Sequence, residues 1–241
     1  MTAPSSSGYR VVRASSSEDL ARRAAETIAS HIDLALDQRD RAQIALCGGG
    51  TPAATYRHLA QERLPWDRVD VFLGDERWVD SEDPASNARL LRQTLLAEGP
   101  GASASFHPVP TSSASPEDGA RLYEEAIQRA CRGAPPIFDL MLLGLGEDGH
   151  TASLFPGTAA TTVRDRWVTI GEGKGLPRIT LTAPVLSAAG QVIMLVAGAG
   201  KQQALQRLQD PAEPAERTPA RLVQPARGVL ILADEAAAGS A

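Results

Sequence analysis

The sequence predicts an α/β domain with a mainly parallel sheet flanked by helices, on three observations. Short, almost unbroken apolar runs at residues 44–46, 69–73, 138–143 and 192–196 suit strands buried on both faces of a parallel sheet. Segments of helical periodicity alternate with these runs. Each run ends in a glycine-bearing loop, and the carboxyl ends of parallel strands are where open α/β sheets hold ligands.

Residues 9–12 form the first strand candidate, and Ser15 with Glu18 has capping-box spacing before a helical pattern through about residue 36. The run at 44–46 ends in Gly48-Gly49-Gly50-Thr51-Pro52, and a helix over 52–60 follows, with proline suited to its first turn. The strand at 69–73 ends at Gly74-Asp75-Glu76-Arg77. Residues 85–96 and 116–130 read as helices around a Gly/Ser/Pro-rich linker, 99–115, too short and central to require a domain boundary. The strand before Gly144 precedes strands at 167–170, 179–182 and 192–196. Gly198-Ala199-Gly200-Lys201 opens a helix to about residue 208, 211–219 is a loop, and 229–232 is the last strand. The expected organisation is a flexible start at 1–8, one domain over 9–235 and a frayed tail over 236–241, without internal repeats.

A chain of 241 residues accommodates one large α/β domain or two small ones, with a substantial core. Its net charge of -5 argues against a nucleic-acid partner. Cys47 and Cys131 lack CxxC or Cys/His zinc spacing, so reduced thiols in a cytoplasmic protein are expected, with no metal. No apolar stretch approaches the roughly 20 residues that span a bilayer, which argues against a membrane partner. The first eight residues lack the shape of a signal peptide. Nothing in the sequence sets an oligomeric state.

The strand at 138–143 delivers Gly144-Leu145-Gly146-Glu147-Asp148-Gly149-His150-Thr151. Histidine, with an ordinary pKa of roughly 6.5, exchanges protons near neutrality, and Asp148 is spaced to orient His150 or stabilise its cation. Taken alone, a loop histidine beside a solvated acid is the commoner explanation. The glycines at 48–50 let a ligand approach the backbone at a helix start that favours anions, or simply make a tight connection. They match neither GxxxxGK[ST] nor GxGxxG. Arg77 suits an oxyanion or phosphate, or else a surface ion pair, and Lys201 is a compact cation that alone would more often be solvated. Together, four strand-end loops with these groups point to a site for a small phosphorylated metabolite on which His150 performs proton chemistry. His31 and His58 read as surface or boundary residues, and His107 has no partner nearby in sequence. Trp66, Trp78 and Trp167 read as packing residues. Asn87 either supports the site or caps the following helix, and Asp75 and Glu76 are placed to hold Arg77.

Six segments carry a resemblance that spans nearly the whole chain. They are Cys47 through Pro52, Leu73 through Arg77, Ser86-Asn87-Ala88-Arg89-Leu90-Leu91, Gly144 through Pro156 with its GxDGHTASLFP block, Arg178-Ile179-Thr180-Leu181-Thr182, and Gly198 through Lys201. In these the chain resembles the 6-phosphogluconolactonases, within the glucosamine-6-phosphate isomerase/6-phosphogluconolactonase family. The DGH-containing block is highly specific, whereas GGxTP is shared with related amino-sugar-phosphate deaminases. The resemblance implies a Rossmann-like fold of the amino-sugar-phosphate deaminase/ribose-5-phosphate isomerase type. It also implies cofactor-independent hydrolysis of a sugar-phosphate lactone in the oxidative pentose phosphate pathway. His150 would activate water, Asp148 would hold the imidazole, and Arg77 would stabilise the oxyanion. Arg178, Lys201 and the loop of Gly49, Gly50 and Thr51 would bind phosphate, with Asp75 and Asn87 in support. Cys47 and Gly50 stand where the family usually has serines, leaving Thr51 and backbone amides to serve. The segment 171–177 replaces a proline-rich, lysine-bearing approach and leaves Lys174 without an assigned role. Two alternatives stay open: an amino-sugar-phosphate deaminase or isomerase with Asp75 as carboxylate base, and a non-catalytic sugar-phosphate sensor. Arg77 stands where the deaminases have the tyrosine of a DEY signature, and no helix-turn-helix or basic patch supports a regulator.

Overall fold

A computed structural model describes residues 8–239. In chain order its elements are β1 (Tyr9–Ala14), α1 (Ser17–Leu36), β2 (Ala42–Leu46), α2 (Gly50–Leu59), β3 (Val69–Leu73), β4 (Asp75–Arg77) and α3 (Asn87–Arg92). Then come β5 (Ser105–Phe106), α4 (Pro116–Ala130), β6 (Leu140–Gly144), β7 (Val168–Gly173), β8 (Leu176–Leu181) and α5 (Ala183–Ala188). The series closes with β9 (Val192–Val196), α6 (Gln202–Gln209), β10 (Val229–Asp234) and α7 (Glu235–Ala238).

Seven strands form one sheet in the order β1-β10-β9-β6-β2-β3-β5, and every neighbouring pair is parallel. β2, β3, β9 and β10 are buried at each position, which is why their sequences run apolar rather than alternating. From β2 the chain builds outward through β3 and β5, then returns to lay β6 on the other side of β2 and continues through β9 to β10. The order therefore reverses between β2 and β6, and the crevice at such a switch point is where doubly wound sheets bind ligands. The loops expected to carry chemistry leave β6, its neighbours β2 and β9, and β3 beyond β2, at this carboxyl edge.

A second sheet, β4-β8-β7, is antiparallel. The chain passes from one sheet to the other at Gly74, whose amide donates to the Leu46 carbonyl and whose carbonyl accepts from Leu181, both at 2.9 Å. β7 and β8 are joined through Lys174-Gly175, both with left-handed φ, of 55° and 77°. A two-residue turn with positive φ at both positions matches the twist of a hairpin.

Two buried tyrosines secure the ends of adjacent strands. The Tyr56 hydroxyl accepts from the Cys47 amide at 3.1 Å and donates to its carbonyl at 2.6 Å. The Tyr123 hydroxyl does the same at Leu73, at 2.7 and 2.8 Å. Backbone groups that the ladder leaves at the start of two loops are thus satisfied inside the core.

Several local expectations shift. Ser16, not Ser15, caps α1 by accepting from the Asp19 amide at 3.1 Å, and Glu18 instead pairs with His58 Nε2 at 2.8 Å. α3 is shorter than the expected 85–96 helix and begins after Ser86, which accepts from the Arg89 amide. Of the expected flexible ends, residues 1–7 and 240–241 lie outside the described residues. The tail expectation is corrected at Glu235–Ala238, a short helix capped by the Asp234 carboxylate, with Ala237 buried. Trp66 is buried, and Trp78 and Trp167 pack against the core, as expected of packing residues. His107 stacks on Phe72 and meets Asp70, a partner distant in sequence. Among the described residues, no helix is long and apolar enough to cross a membrane.

Candidate active site

A cavity of about 220 Å³ opens at the switch point. Gly48 and Gly49 reach it from the loop after β2, Asp75 and Arg77 from β4, Asn87 from α3, and Gly146 and His150 from the loop after β6. Lys174 and Arg178 enter from the β7–β8 hairpin and Lys201 from the turn after β9. A larger open groove of about 530 Å³ lies between α4 and β7, but it has no histidine and no loop from a parallel strand end. Chemistry, rather than size, selects the smaller cavity.

His150 is fixed by its own loop. Its Nδ1 lies 2.5 Å from Asp148 Oδ1, and its amide donates to the same oxygen at 3.1 Å. With Nδ1–H given to the carboxylate, Nε2 keeps its lone pair. The ring stacks on Phe155 with centroids 4.2 Å apart. A Cβ at Gly146 would overlap both His150 Nδ1 and Asp148 Oδ1, so only glycine allows this close pairing. Burial lowers His150 below the ordinary histidine value of 6.5, against the upward pull of Asp148, and the Lys174 charge adds to the lowering. Burial favours the neutral carboxyl at Asp148, but the hydrogen bonds and charge of His150 outweigh it and hold Asp148 below its usual range. At neutral pH the pair is a neutral imidazole beside a carboxylate.

β4 and α3 are locked together by the buried Glu76. Its carboxylate accepts from the amides of Arg77, Asn87 and Ala88, each at 2.8 Å, and from the Ser86 hydroxyl at 3.1 Å. Burial raises its pKa while those backbone bonds lower it, and the net shift is upward. The Arg77 guanidinium donates to the Ala85 carbonyl, and its Nε is buried without a partner. Asn87 Nδ2 donates to the Asp75 carbonyl at 2.8 Å, and its Oδ1 occupies the space a side chain at Gly48 would need.

Asp75 is buried and accepts from the Ser153 hydroxyl at 2.5 Å, with Arg178 Nη1 3.9 Å from the same oxygen. Arg178 immediately precedes the strand expected at 179–182, and β8 in fact begins earlier, at Leu176. Arg178 lies within antiparallel β8, opposite Arg77 in the register, donates from Nε to the Gly173 carbonyl at 3.1 Å and spreads over Phe155. Lys201 ends a single turn after Gly198, whose amide donates to Asp234.

Seven of the ten expected site residues therefore line one cavity: Gly49, Asp75, Arg77, Asn87, His150, Arg178 and Lys201. Asp148 supports it through His150. Gly50 and Thr51, in the first turn of α2, do not line it; their amides lack intrahelical acceptors, as at any helix start. Cys47 also lines the cavity, where burial pushes its thiol up to about 12, so it is held as the inert thiol. Lys174, left without a role by the sequence, lines the cavity, whereas Phe155 and Ser153 were not singled out individually. Phe155 and Ser153 belong to the same sequence block as His150, which was the available signal.

The model of the glucosamine-6-phosphate isomerases/6-phosphogluconolactonase family matches residues 15–232. The chain belongs to that family. It is 43% identical over 221 residues to a 6-phosphogluconolactonase of Synechocystis sp., covering 90% of this chain and 92% of that protein. The crystal structure of a 6-phosphogluconolactonase from Shewanella baltica superposes with a TM-score of 0.84 at 27% identity, covering 94% of this chain and 97% of that one. A monomeric glucosamine-6-phosphate deaminase, at 22% identity and a TM-score of 0.78 over 95% of this chain and 98% of its own, shares the fold.

Proposed function

We propose that this protein hydrolyses 6-phospho-D-glucono-1,5-lactone to 6-phospho-D-gluconate in the oxidative pentose phosphate pathway, in the cytoplasm, with His150 as the base. The carrying observation is the 2.5 Å bond from His150 Nδ1 to Asp148 beside a cavity lined by Arg77, Lys174, Arg178 and Lys201. His150 Nε2 takes a proton from water as the water oxygen bonds to the lactone carbonyl carbon. Arg77 faces the oxyanion that develops. The bond from that carbon to the ring oxygen then breaks, and His150 returns the proton to the departing oxygen. Asp148 stabilises the imidazolium between the two transfers. Arg178 and Lys201, with the amides of Gly49, Gly50 and Thr51, hold the phosphate, and the Lys174 charge adds to theirs. These steps require no cofactor, metal or protein nucleophile.

Asp75 is the carboxylate that a deaminase would need free for a carbon-bound proton. Its bond from Ser153 and its proximity to Arg178 speak against that use. The test is to generate the lactone in a coupled assay and follow acid release. Release above the spontaneous rate, abolished in folded His150→Ala, supports the proposal; release at the spontaneous rate refutes it.

A further inference from the structure

The loop that carries Asp148 and His150 is held from outside at two peptide carbonyls. Arg207 Nη2, on α6, donates to the Glu147 carbonyl at 2.9 Å, and the Ala220 amide donates to the Gly149 carbonyl at 3.0 Å. These carbonyls belong to the peptides immediately preceding Asp148 and His150. The other backbone bonds of the loop, from the Gly146 amide to the His150 carbonyl and from the Gly149 amide to the Gly146 carbonyl, close it on itself. They do not orient it against the rest of the molecule. The external donors do.

Arg207 is itself held in place. Glu213, whose side chain is 6% exposed, brings Oε1 to 3.9 Å from Arg207 Nε and 3.3 Å from Arg217 Nε. The same oxygen accepts from the Thr218 hydroxyl at 2.6 Å. Thr218 is fully buried against Gly149, where φ is +87° and a Cβ would lie 3.0 Å from Thr218 Cα. A Cβ at Gly200 would lie 2.6 Å from Glu147 Oε1, so the turn carrying Lys201 rests on the residue whose carbonyl Arg207 grips.

Resting on the assignment of His150 as the base, we infer that Arg207 is a positioning residue for the hydrolysis. Through the Glu147 carbonyl it sets the orientation of Asp148 and His150, and Glu213 with Thr218 holds Arg207. A role confined to joining α6 to the following loop would lower stability and leave the chemistry alone. Arg207→Ala should lower kcat about 10- to 100-fold, the scale expected when a reacting group moves by about 1 Å. KM should change by less than about 3-fold, since the lost term acts on the chemical step. The His150 Nδ1 proton, held in a 2.5 Å bond, should give a far-downfield proton NMR resonance that broadens or moves upfield in the variant. Arg207→Lys, which keeps a donor, should restore part of kcat. If Arg207→Ala does not fold, Glu213→Gln gives the same readouts, because it loosens Arg207 without removing it. A folded variant with kcat within about 2-fold of the parent, below any positioning effect, and an unmoved resonance overturns the inference. His150→Ala is measured alongside. Its retained turnover would overturn the base assignment and this inference together, whereas lost turnover beside an unaffected Arg207→Ala overturns this inference alone.

Discussion

Replacing Asp148 by asparagine keeps an acceptor for His150 Nδ1–H and removes only the charge, so it isolates what the carboxylate contributes to the imidazolium. Opposite unit charges about 4 Å apart attract by about 1 kcal/mol in water and about 4 kcal/mol at the effective dielectric of a protein surface. The Asp148 side chain is 45% exposed, against 17% for His150. Solvent therefore screens the pair, which belongs in the lower half of that range, about 1–2 kcal/mol. At 1.36 kcal/mol per tenfold, kcat should fall about 5- to 30-fold. His150→Ala should lose more, the general-base factor of about 10² to 10⁴. The pH profile gives an independent sign. With His150 as the proposed base, turnover requires its neutral form and declines as pH falls through a pKa that burial has placed below 6.5. Asp148 opposes that lowering, so its removal moves the acid limb of kcat lower still, by about one pH unit. The assay is acid release from freshly generated lactone, corrected for spontaneous opening at each pH, with circular dichroism to establish folding. An acid limb that stays in place or moves upward in folded Asp148→Asn would refute the pairing as the source of basicity.

Gly146→Ala puts a methyl group into the space of the His150–Asp148 contact; kcat should fall by about 100-fold while the circular dichroism spectrum is unchanged. Lys201→Ala should weaken 6-phosphogluconate binding about 10- to 150-fold by calorimetry, from a charge-assisted contact of about 1.5–3 kcal/mol, and unchanged affinity would remove Lys201 from the phosphate site. Asp70 lies near the start of β3, away from the cavity. Burial raises it, but bonds from His107, Arg41 and Gln43 prevail and hold it well below the usual carboxylate range. Its stabilisation is fully present above the unfolded value of 3.8 and is lost as pH falls toward the folded value. Asp70→Asn should therefore cost about 2 kcal/mol at pH 7, or about 4–8 °C in Tm, with unchanged kcat and a shallower loss of stability below about pH 4.

Strands buried on both faces leave a plain trace in sequence, and β3 and β9 run over the residues their apolar runs suggest. β4 leaves none. Asp75-Glu76-Arg77 has no apolar pattern, and its strand character comes from pairing with β8, about a hundred residues later. The cap of α1 was misplaced by one residue because three consecutive serines, Ser15 to Ser17, each qualify. Ser16 caps through the Asp19 amide, while the Asp19 carboxylate accepts from the Ser15 amide and hydroxyl. α7 was hidden in an alanine-rich stretch whose composition suits a frayed end as well as a helix.

The site divides along the same line. Arg77, His150 and Lys201 were legible because each follows a strand of the parallel sheet, where topology alone collects loops at one edge. Arg178 and Lys174 come from the antiparallel sheet, and no strand-end rule places them. What brings them in is Gly74, which bonds to both sheets and turns the chain between them. The second sheet then serves as a wall: with Arg77 on β4 it brings three cations to an edge where Lys201 supplies the fourth. A chain of net charge -5 can gather those cations only where carboxylates and a hydrogen-bonded backbone hold them apart. Asp75 faces Arg178, and the Ala85 carbonyl takes Arg77. The deaminase and the hydrolase share this scaffold, so fold cannot choose between their chemistries. The choice lies in which carboxylate is occupied. Asp75 takes the Ser153 hydroxyl and lies near Arg178, and Asp148 holds an imidazole whose Nε2 keeps its lone pair, so the proposed proton transfer falls to His150 and suits attack by water on a lactone.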